Sequence, residues 1–194
     1  MDSKFVSKLV SEFFEIDGIK EKILAIEELC ESSGKKAHDY EKWLQIEFAI
    51  FLHKRDNNDI HDWGREKKYS LDGRRKIRIK QKESTTVDFW FKRKNQKKSG
   101  EILVEFKRAR SINGCVKKMI KDGALLRKIK KSQSEVRSFW MIGFHPSENE
   151  SHNVFEKAFN QEAKLNEWVR YKDIKTETIG GTNLSYSIFT LDEA

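Results

Sequence analysis

Two acidic residues and one lysine stand in two neighbouring stretches of β-type sequence. Asp88 lies within the segment VDFWF, and Glu105 and Lys107 lie within ILVEFK. Because alternate residues of a strand point to the same face, Glu105 and Lys107 share one face of their strand. A hairpin that links the two strands brings Asp88 close to Glu105. Two converging carboxylates repel each other and attract a divalent cation that prefers hard oxygen ligands, so we expect Mg²⁺ here, with Mn²⁺ as a substitute.

Lys107 completes a set of side chains that is suited to phosphate chemistry. Its ammonium would lie beside the attacking water and the scissile phosphate, where it stabilises charge or positions the nucleophile. The alternative is an ordinary cross-strand salt bridge between Lys107 and an acid on a solvated sheet face, because the D…ExK pattern is short. Both strands are too apolar for a freely exposed sheet, which favours a buried site.

The basic residues of the chain are concentrated in its middle. Residues 64–137 hold twenty-five Lys and Arg against eight Asp and Glu, a net charge of +17, whereas residues 1–63 carry −5 and residues 138–194 carry −4. This distribution is typical of a protein that binds a polyanion, because neutralising phosphates releases counterions. Charge alone fits a solvated, lysine-rich surface equally well. The acidic pair and Lys107 lie in the same block and favour nucleic acid.

Basic side chains that follow the Glu105 strand are the candidates for contacts with phosphates. Residues 114–130 predict a basic amphipathic helix, and two arginines come shortly after Lys107. If this helix flanks the sheet, some of its lysines lie near the acidic pair, while the others form a solvated face. The candidate nucleic-acid-binding residues are Arg108, Arg110, Lys117, Lys118 and Lys121.

The remaining elements are predicted from hydrophobic periodicity and turn residues. Helical patterns cover residues 3–15, 18–31, 40–54, 114–130 and 153–169. Strand patterns cover residues 85–93, 101–107, 137–144 and 184–190, and residues 65–70 and 75–82 predict a hairpin around LDGR. The order of helix, antiparallel strands, helix and strand predicts an α/β (α+β) fold, with a central mixed sheet flanked by helices.

The element order, Asp88, the Glu105-Phe106-Lys107 triplet and the apolar strand RSFWMIGF together resemble the PD-(D/E)XK nuclease superfamily, whose members are restriction-endonuclease-like. The resemblance covers residues 41–144 and implies an αβββαβ core. It implies that Asp88 and Glu105 bind the metal, that Lys107 is the active-site lysine, and that hydrolysis leaves a 5′-phosphate. Val87 stands where that superfamily has a proline before the aspartate.

Many members of this superfamily also carry a glutamate on the first core helix, and Glu47 is the candidate in this chain. It lies one turn from both Trp43 and Ile50, beside the apolar stripe of the predicted helix 40–54. The alternative for Glu47 is a salt bridge to a neighbouring helix or to Lys107. Glu41 lies near the start of the same helix, where an acid interacts favourably with the helix dipole, so we expect a structural role for it.

These observations predict a Mg²⁺-dependent endonuclease that acts on DNA, most readily double-stranded DNA. Residues 1–36 would form a helical appendage packed on a nuclease domain of residues 37–194, and a double-strand cut would need a homodimer. An RNA-directed nuclease would share the site. A non-catalytic nucleic-acid-binding or protein-interaction module on the same fold is the alternative from another class.

The sequence also bears on where the protein works. No apolar run reaches the roughly 18 residues of a membrane span, and the N-terminus lacks the apolar segment of a signal peptide. Cys30 and Cys115 are far apart and lack zinc-site spacing, although a disulfide between them stays open. We therefore expect a cytoplasmic protein without membrane association.

Overall fold

The computed structural model describes residues 2–33, 40–55, 59–72, 83–94, 100–129, 135–166 and 171–191. Within these residues the chain forms five helices and six strands. The helices are α1 (Asp2–Phe14), α2 (Ile19–Ser33), α3 (Tyr40–Lys54), α4 (Ile112–Leu126) and α5 (Ser151–Leu165). The strands are β1 (Ile60–Ser70), β2 (Ser84–Arg93), β3 (Glu101–Arg108), β4 (Val136–Pro146), β5 (Tyr171–Thr178) and β6 (Leu184–Leu191).

The six strands form one mixed sheet in the order β1-β2-β3-β4-β6-β5. All neighbouring pairs are antiparallel except β3 and β4, which are parallel and are connected through α4. A parallel pair needs a crossover of this kind, because a tight turn cannot return the chain in the same direction. The predicted α+β class is confirmed, and α3, β1, β2, β3, α4 and β4 follow the predicted αβββαβ order.

The helices cover the two faces of the sheet, so that the molecule has three layers. Helices α1, α2 and α3 share one hydrophobic cluster with the sheet, and α4 and α5 share another. Phe48 of α3 lies at the centre of the first cluster, with its ring 5.1 Å from that of Phe89 and 5.2 Å from that of Phe106. Helix α1 buries six residues in the same cluster, so it belongs to the core of the fold. The predicted boundary between residues 36 and 37 lies outside the described residues.

Helix α4 lies very close to β4 at Gly143. A Cβ atom at this position would lie 2.6 Å from the sulfur of Cys115 and would also overlap the sulfur of Met119. No ordinary side chain fits there, because Cβ atoms do not approach other heavy atoms so closely. Gly143 is paired in register with Lys107 of β3, so this contact fixes the position of α4 beside the lysine.

Several predicted boundaries differ from the structure. Strand β1 pairs with β2, and the predicted hairpin partner at residues 75–82 lies outside the described residues. The predicted helix 114–130 ends at Leu126, because Ile129 forms a β-bridge with Leu71. It starts at Ile112, where the Ser111 hydroxyl caps the helix by accepting the N–H of Gly114. Strand β5 was not predicted.

Two further findings concern the cysteines and the membrane. Cys115 is a free and buried thiol, so it is not joined to Cys30 by a disulfide. Across the described ranges, each helix is too short or too polar to cross a bilayer.

Candidate active site

Strands β2 and β3 separate at the candidate site, and two carboxylates occupy the opening. The backbone ladder between them ends at the pair Phe89↔Val104. Beyond it, the N–H of Asp88 donates to Oε2 of Glu105 over 3.3 Å, and the N–H of Phe106 donates to Oδ2 of Asp88 over 2.8 Å. Each carboxylate therefore takes the place of a backbone carbonyl. These bonds position both side chains by the main chain of the opposite strand.

The backbone of β2 departs from a regular pleat at Asp88. Val87 packs in the cluster of α4 and α5, whereas Phe89 packs in the cluster of α1, α2 and α3. Residues two apart in a regular strand would share a face. On the neighbouring strand, Glu66 lies between the residues that pair with Val87 and Phe89 and has a positive φ of 52°. Such irregularities in a sheet re-aim side chains and are frequent next to functional sites.

Three acids surround the ammonium of Lys107. Its Nζ lies 2.8 Å from Oε1 of Glu105, 3.1 Å from Oδ2 of Asp122 and 3.8 Å from Oε1 of Glu41. These acids come from β3, α4 and α3, so all three layers of the fold meet at the lysine. The Lys107 side chain is only 12% exposed. Carboxylates outnumber the ammonium, which leaves an excess of negative charge in a largely buried place.

Helix α3 contributes Glu41 to this cluster and not Glu47. Glu41 also accepts the N–H of Arg108 at 2.7 Å, which fastens it to the end of β3. Glu47 forms an ion pair of 2.7 Å with Lys22 of α2, which is the salt-bridge alternative for this residue. The residue expected to have only a structural role at the helix start is thus the one that contacts Lys107.

Asp122 was not predicted from the sequence, although a signal for it exists. It is the only acidic residue in α4, a helix whose other charged residues are all lysines. A single acid on a basic helix that packs beside a conspicuous lysine is a reasonable partner for that lysine. The spacing of fifteen residues from Lys107 gives no periodic pattern, however, and only the packing of α4 on the sheet reveals the contact.

Burial strongly perturbs the ionisation of this cluster. It raises the pKa of Asp88 to about 6, against the opposing effect of Lys107. Burial and the nearby charge of Asp88 raise the pKa of Glu105 to about 7. Burial alone would lower the pKa of Lys107, but the charges of Glu105 and Asp88 raise it above its ordinary value. Shifts of this kind are characteristic of functional sites, and here they reflect carboxylates that lack enough positive charge.

A solvent-open cleft of about 490 Å³ adjoins the cluster, between the start of β2 and the last turns of α4. Its walls combine hydroxyl groups, carboxylates and two leucines. Glu105 and Asp122 both reach it, so the charged cluster is accessible from outside. The lining residues are Glu83, Ser84, Thr85, Thr86, Glu105, Asp122, Leu125 and Leu126.

The donor set at the opening is suited to a hard divalent cation that keeps part of its water shell. Asp88 and Glu105 would supply oxygen ligands, and Mg²⁺ is commonly held by one or two carboxylates together with water and phosphate oxygens. The described residues contain no group of three or more His, Cys, Asp or Glu side chains arranged to hold a metal ion. The site therefore fits an exchangeable Mg²⁺ and does not fit an ion enclosed by protein ligands.

The five candidate phosphate-binding residues lie at or just after the end of β3 and in the middle of α4. Arg108 is half-buried, with its guanidinium 5.0 Å from the centre of the Tyr40 ring. Arg110 and Lys121 are exposed. Lys118 donates to the carbonyl oxygen of Arg108 over 2.7 Å, and Lys117 forms a 3.5 Å ion pair with Glu162 of α5.

Four of these five side chains, all except that of Arg108, are exposed. Asp122, which contacts Lys107, follows Lys118 by one helical turn on α4.

Searches of protein-family models, curated proteins and solved structures give no significant match to this chain.

Proposed function

We propose that this chain is a Mg²⁺-dependent nuclease that hydrolyses phosphodiester bonds in DNA. Asp88 and Glu105 would hold the cation, with Mn²⁺ able to replace Mg²⁺, and Lys107 would act on the phosphate and the attacking water. The resemblance of the αβββαβ core and of the Asp88, Glu105 and Lys107 set to PD-(D/E)XK nucleases supports this assignment.

The convergence of the three side chains at the opening between β2 and β3 is the observation that carries the proposal. A structural salt bridge needs one acid for one base. Here two buried carboxylates and Lys107 share one small region, and the pKa values of both acids are raised. Retaining such a cluster costs stability, because uncompensated buried charge is unfavourable. A bound cation would remove that cost.

The protein groups divide the chemistry between them. A divalent cation held by Asp88 and Glu105 would supply a positive charge that polarises the phosphate. The Nζ of Lys107 lies 2.8 Å from Oε1 of Glu105, so the ammonium would lie next to the bound cation and its phosphate. There it would neutralise the negative charge that develops on the phosphate. Glu41 holds the end of β3 through the N–H of Arg108, which keeps Lys107 in place.

The basic residues beside the site suggest the substrate class. Exposed lysines of α4 and Arg110 would contact the phosphate backbone and position the substrate without reading its sequence. Cleavage of both strands of a duplex requires two active sites, so double-strand breaks would imply a homodimer. A DNA substrate is compatible with the cytoplasmic location that the sequence predicts.

A cleavage assay with matched variants tests this function. Supercoiled plasmid, linear duplex, single-stranded DNA and RNA would be incubated with wild type and variants in Mg²⁺, Mn²⁺ or EDTA. Asp88→Asn keeps an oxygen that accepts the N–H of Phe106 but removes the charge, and Lys107→Met keeps the length of the side chain. Glu156→Gln, which removes an exposed carboxylate on α5, is the control.

We expect wild type and Glu156→Gln to cleave DNA with Mg²⁺ but not with EDTA, and both site variants to lose about 100-fold or more of the rate. Undiminished cleavage by Asp88→Asn would show that another centre, or a contaminant, is responsible. Salt-sensitive DNA binding with no cleavage by any protein would support the non-catalytic binding module instead. Preferred cleavage of RNA would mean that RNA is the substrate, and the proposed active-site residues would stay the same.

A further inference from the structure

Asp122 is an acid of the cluster that is not needed to explain the binding of a single cation. It lies in the penultimate turn of α4, and its Oδ2 lies 3.1 Å from Nζ of Lys107. Its side chain is about one-third exposed and lines the cleft. The next three residues of the helix are buried, so the backbone that carries Asp122 is firmly packed.

Lys107 is shared between two kinds of acid. Glu105, at 2.8 Å, is also a proposed ligand of the cation, whereas Asp122, at 3.1 Å, and Glu41, at 3.8 Å, are not among its proposed ligands. A cation that engages Glu105 weakens the hold of this carboxylate on Lys107, and its own charge repels the ammonium. Lysine has a long and flexible side chain, so an ammonium that loses its partner changes position readily.

We infer that Asp122 is a positioning residue, which retains the ammonium of Lys107 at the reacting phosphate when a divalent cation takes over Glu105. The inference rests on the proposed nuclease function and adds a residue to it. Without Asp122, the acids of the described residues within 4 Å of the ammonium are Glu105, at 2.8 Å, and the more distant Glu41, at 3.8 Å, so Lys107 competes with the cation for Glu105. Loss of Asp122 therefore lowers both the occupancy of the cation and the effectiveness of the lysine.

The packing of α4 supports a fixed role for this contact. Gly143, which is paired with Lys107 in the sheet, allows α4 to approach β4 through Cys115 and Met119. One turn beyond Met119 along this helix, Asp122 faces the lysine. Both partners are thus held by the same close contact, and their separation does not depend on a flexible loop. Partners that orient the groups of a metal site commonly change activity or affinity by about 10- to 100-fold when they are removed.

A double-mutant cycle tests the inference in the full-length protein. Wild type, Asp122→Asn, Lys107→Met and the double variant would be compared for kcat and KM on DNA, and for Mn²⁺ binding by titration calorimetry. Asp122→Glu is the conservative variant that restores the charge, and Glu156→Gln is the unrelated acidic control. Thermal unfolding of each protein shows whether it is folded.

We expect Asp122→Asn to lower kcat by about 10- to 100-fold, to weaken Mn²⁺ binding and to leave KM for DNA nearly unchanged. Asp122→Glu should recover most of the rate, which a defect of helix packing would not explain. In the Lys107→Met background the Asp122→Asn change should have no further effect, within about twofold, because its partner is already absent.

Equal losses from Asp122→Asn in both backgrounds would overturn the inference, since the residue would then act independently of Lys107. A wild-type rate for Asp122→Asn would overturn it as well, while cleavage by wild type leaves the proposed function standing. A folded wild-type protein that neither binds Mn²⁺ nor cleaves nucleic acid would overturn both.

Discussion

Phe106 donates its backbone N–H to the carboxylate of Asp88 across the gap between β3 and β2, over 2.8 Å. In a regular antiparallel sheet this donor would find a carbonyl oxygen of the neighbouring strand. The Asp88 carboxylate thus accepts a backbone N–H that would otherwise bond to the neighbouring strand, and this bond fixes the position of the Asp88 side chain. An acid held in this way is preorganised, because the backbone and not a mobile neighbour determines its position.

The first prediction concerns metal binding without catalysis. Mg²⁺ should raise the melting temperature of wild type, because a cation that binds only the folded state adds about 2.7 kcal/mol at 100 times its Kd. Asp88→Asn should lose most of this shift. The measurement is differential scanning fluorimetry over a series of Mg²⁺ concentrations, with Glu156→Gln as control. An undiminished shift in Asp88→Asn would mean that the cation binds elsewhere.

The second prediction concerns the pH dependence of stability in EDTA. Glu105 has a pKa of about 7 in the folded protein against an ordinary 4.5, so the folded state holds an extra proton between these pH values. Its contribution to stability is present at low pH and is lost as pH rises through about 7.

The Glu105→Gln variant lacks the ionisable carboxyl group, so its folding stability does not fall in this way as pH rises. Its stability relative to wild type should therefore increase from pH 5 to pH 8, by on the order of 1 to 3 kcal/mol. Urea unfolding at several pH values measures the difference, and Glu156→Gln should show almost no such trend. A difference that shrinks with rising pH would contradict the raised pKa of Glu105.

The third prediction concerns the close contact between α4 and β4. Gly143→Ala should destabilise the protein by about 1 to 3 kcal/mol, because the added methyl group overlaps Cys115 and Met119. Gly180→Ala is the matched control, since a Cβ there has no heavy atom within 4 Å. Chemical denaturation measures both. Equal stability of Gly143→Ala and wild type would show that α4 can move away without cost.

The fourth prediction concerns the basic face of α4. Alanine at Lys117 and Lys121 should weaken DNA binding, and the slope of log K against log salt should fall by about 0.9 for each phosphate that is no longer neutralised. Binding is measured by fluorescence anisotropy in the Asp88→Asn background, so that the DNA stays intact. Lys4→Ala, which replaces an exposed lysine of α1, is the control. An unchanged slope would assign both lysines to the solvated surface.

The strands that carry the site were predictable because their sequences are rich in large apolar residues. The apolar side chains are buried almost without a break in β3 and at alternate positions in β2, and the predicted ranges agree with both strands within about a residue. The pair Glu105 and Lys107 follows from the period of two along a strand. Local patterns therefore identified the residues that are close in sequence.

Contacts between elements that are distant in sequence were harder to predict. Glu41 is an acid in the first turn of α3, which is a common feature of helix starts. This feature does not reveal whether the acid also contacts Lys107 of another element. Glu47, beside the apolar stripe, satisfied the helical pattern equally well but faces Lys22 of α2. The rotation of α3 against the sheet decides between them, and packing rather than periodicity sets that rotation.

Strand β5 was missed because its sequence, YKDIKTET, is mostly polar. It lies at the edge of the sheet and pairs only with β6 among the described strands. Edge strands often carry charged and polar residues, which discourage further pairing with other chains. Hydrophobic alternation is therefore weakest in the position that this strand occupies.

The acids around Lys107 come from α3, β3 and α4, and Asp88 comes from β2, so the cluster joins parts of the chain that are remote in sequence. In a chain that is still being synthesised, or is only partly folded, each of these side chains is separately hydrated and has ordinary chemistry. The proposed nuclease therefore becomes competent only when its last long-range contacts close, which are the slow ones to form. If the chain is the proposed nuclease, molecules that have not finished folding would lack the assembled site and would not cleave nucleic acid.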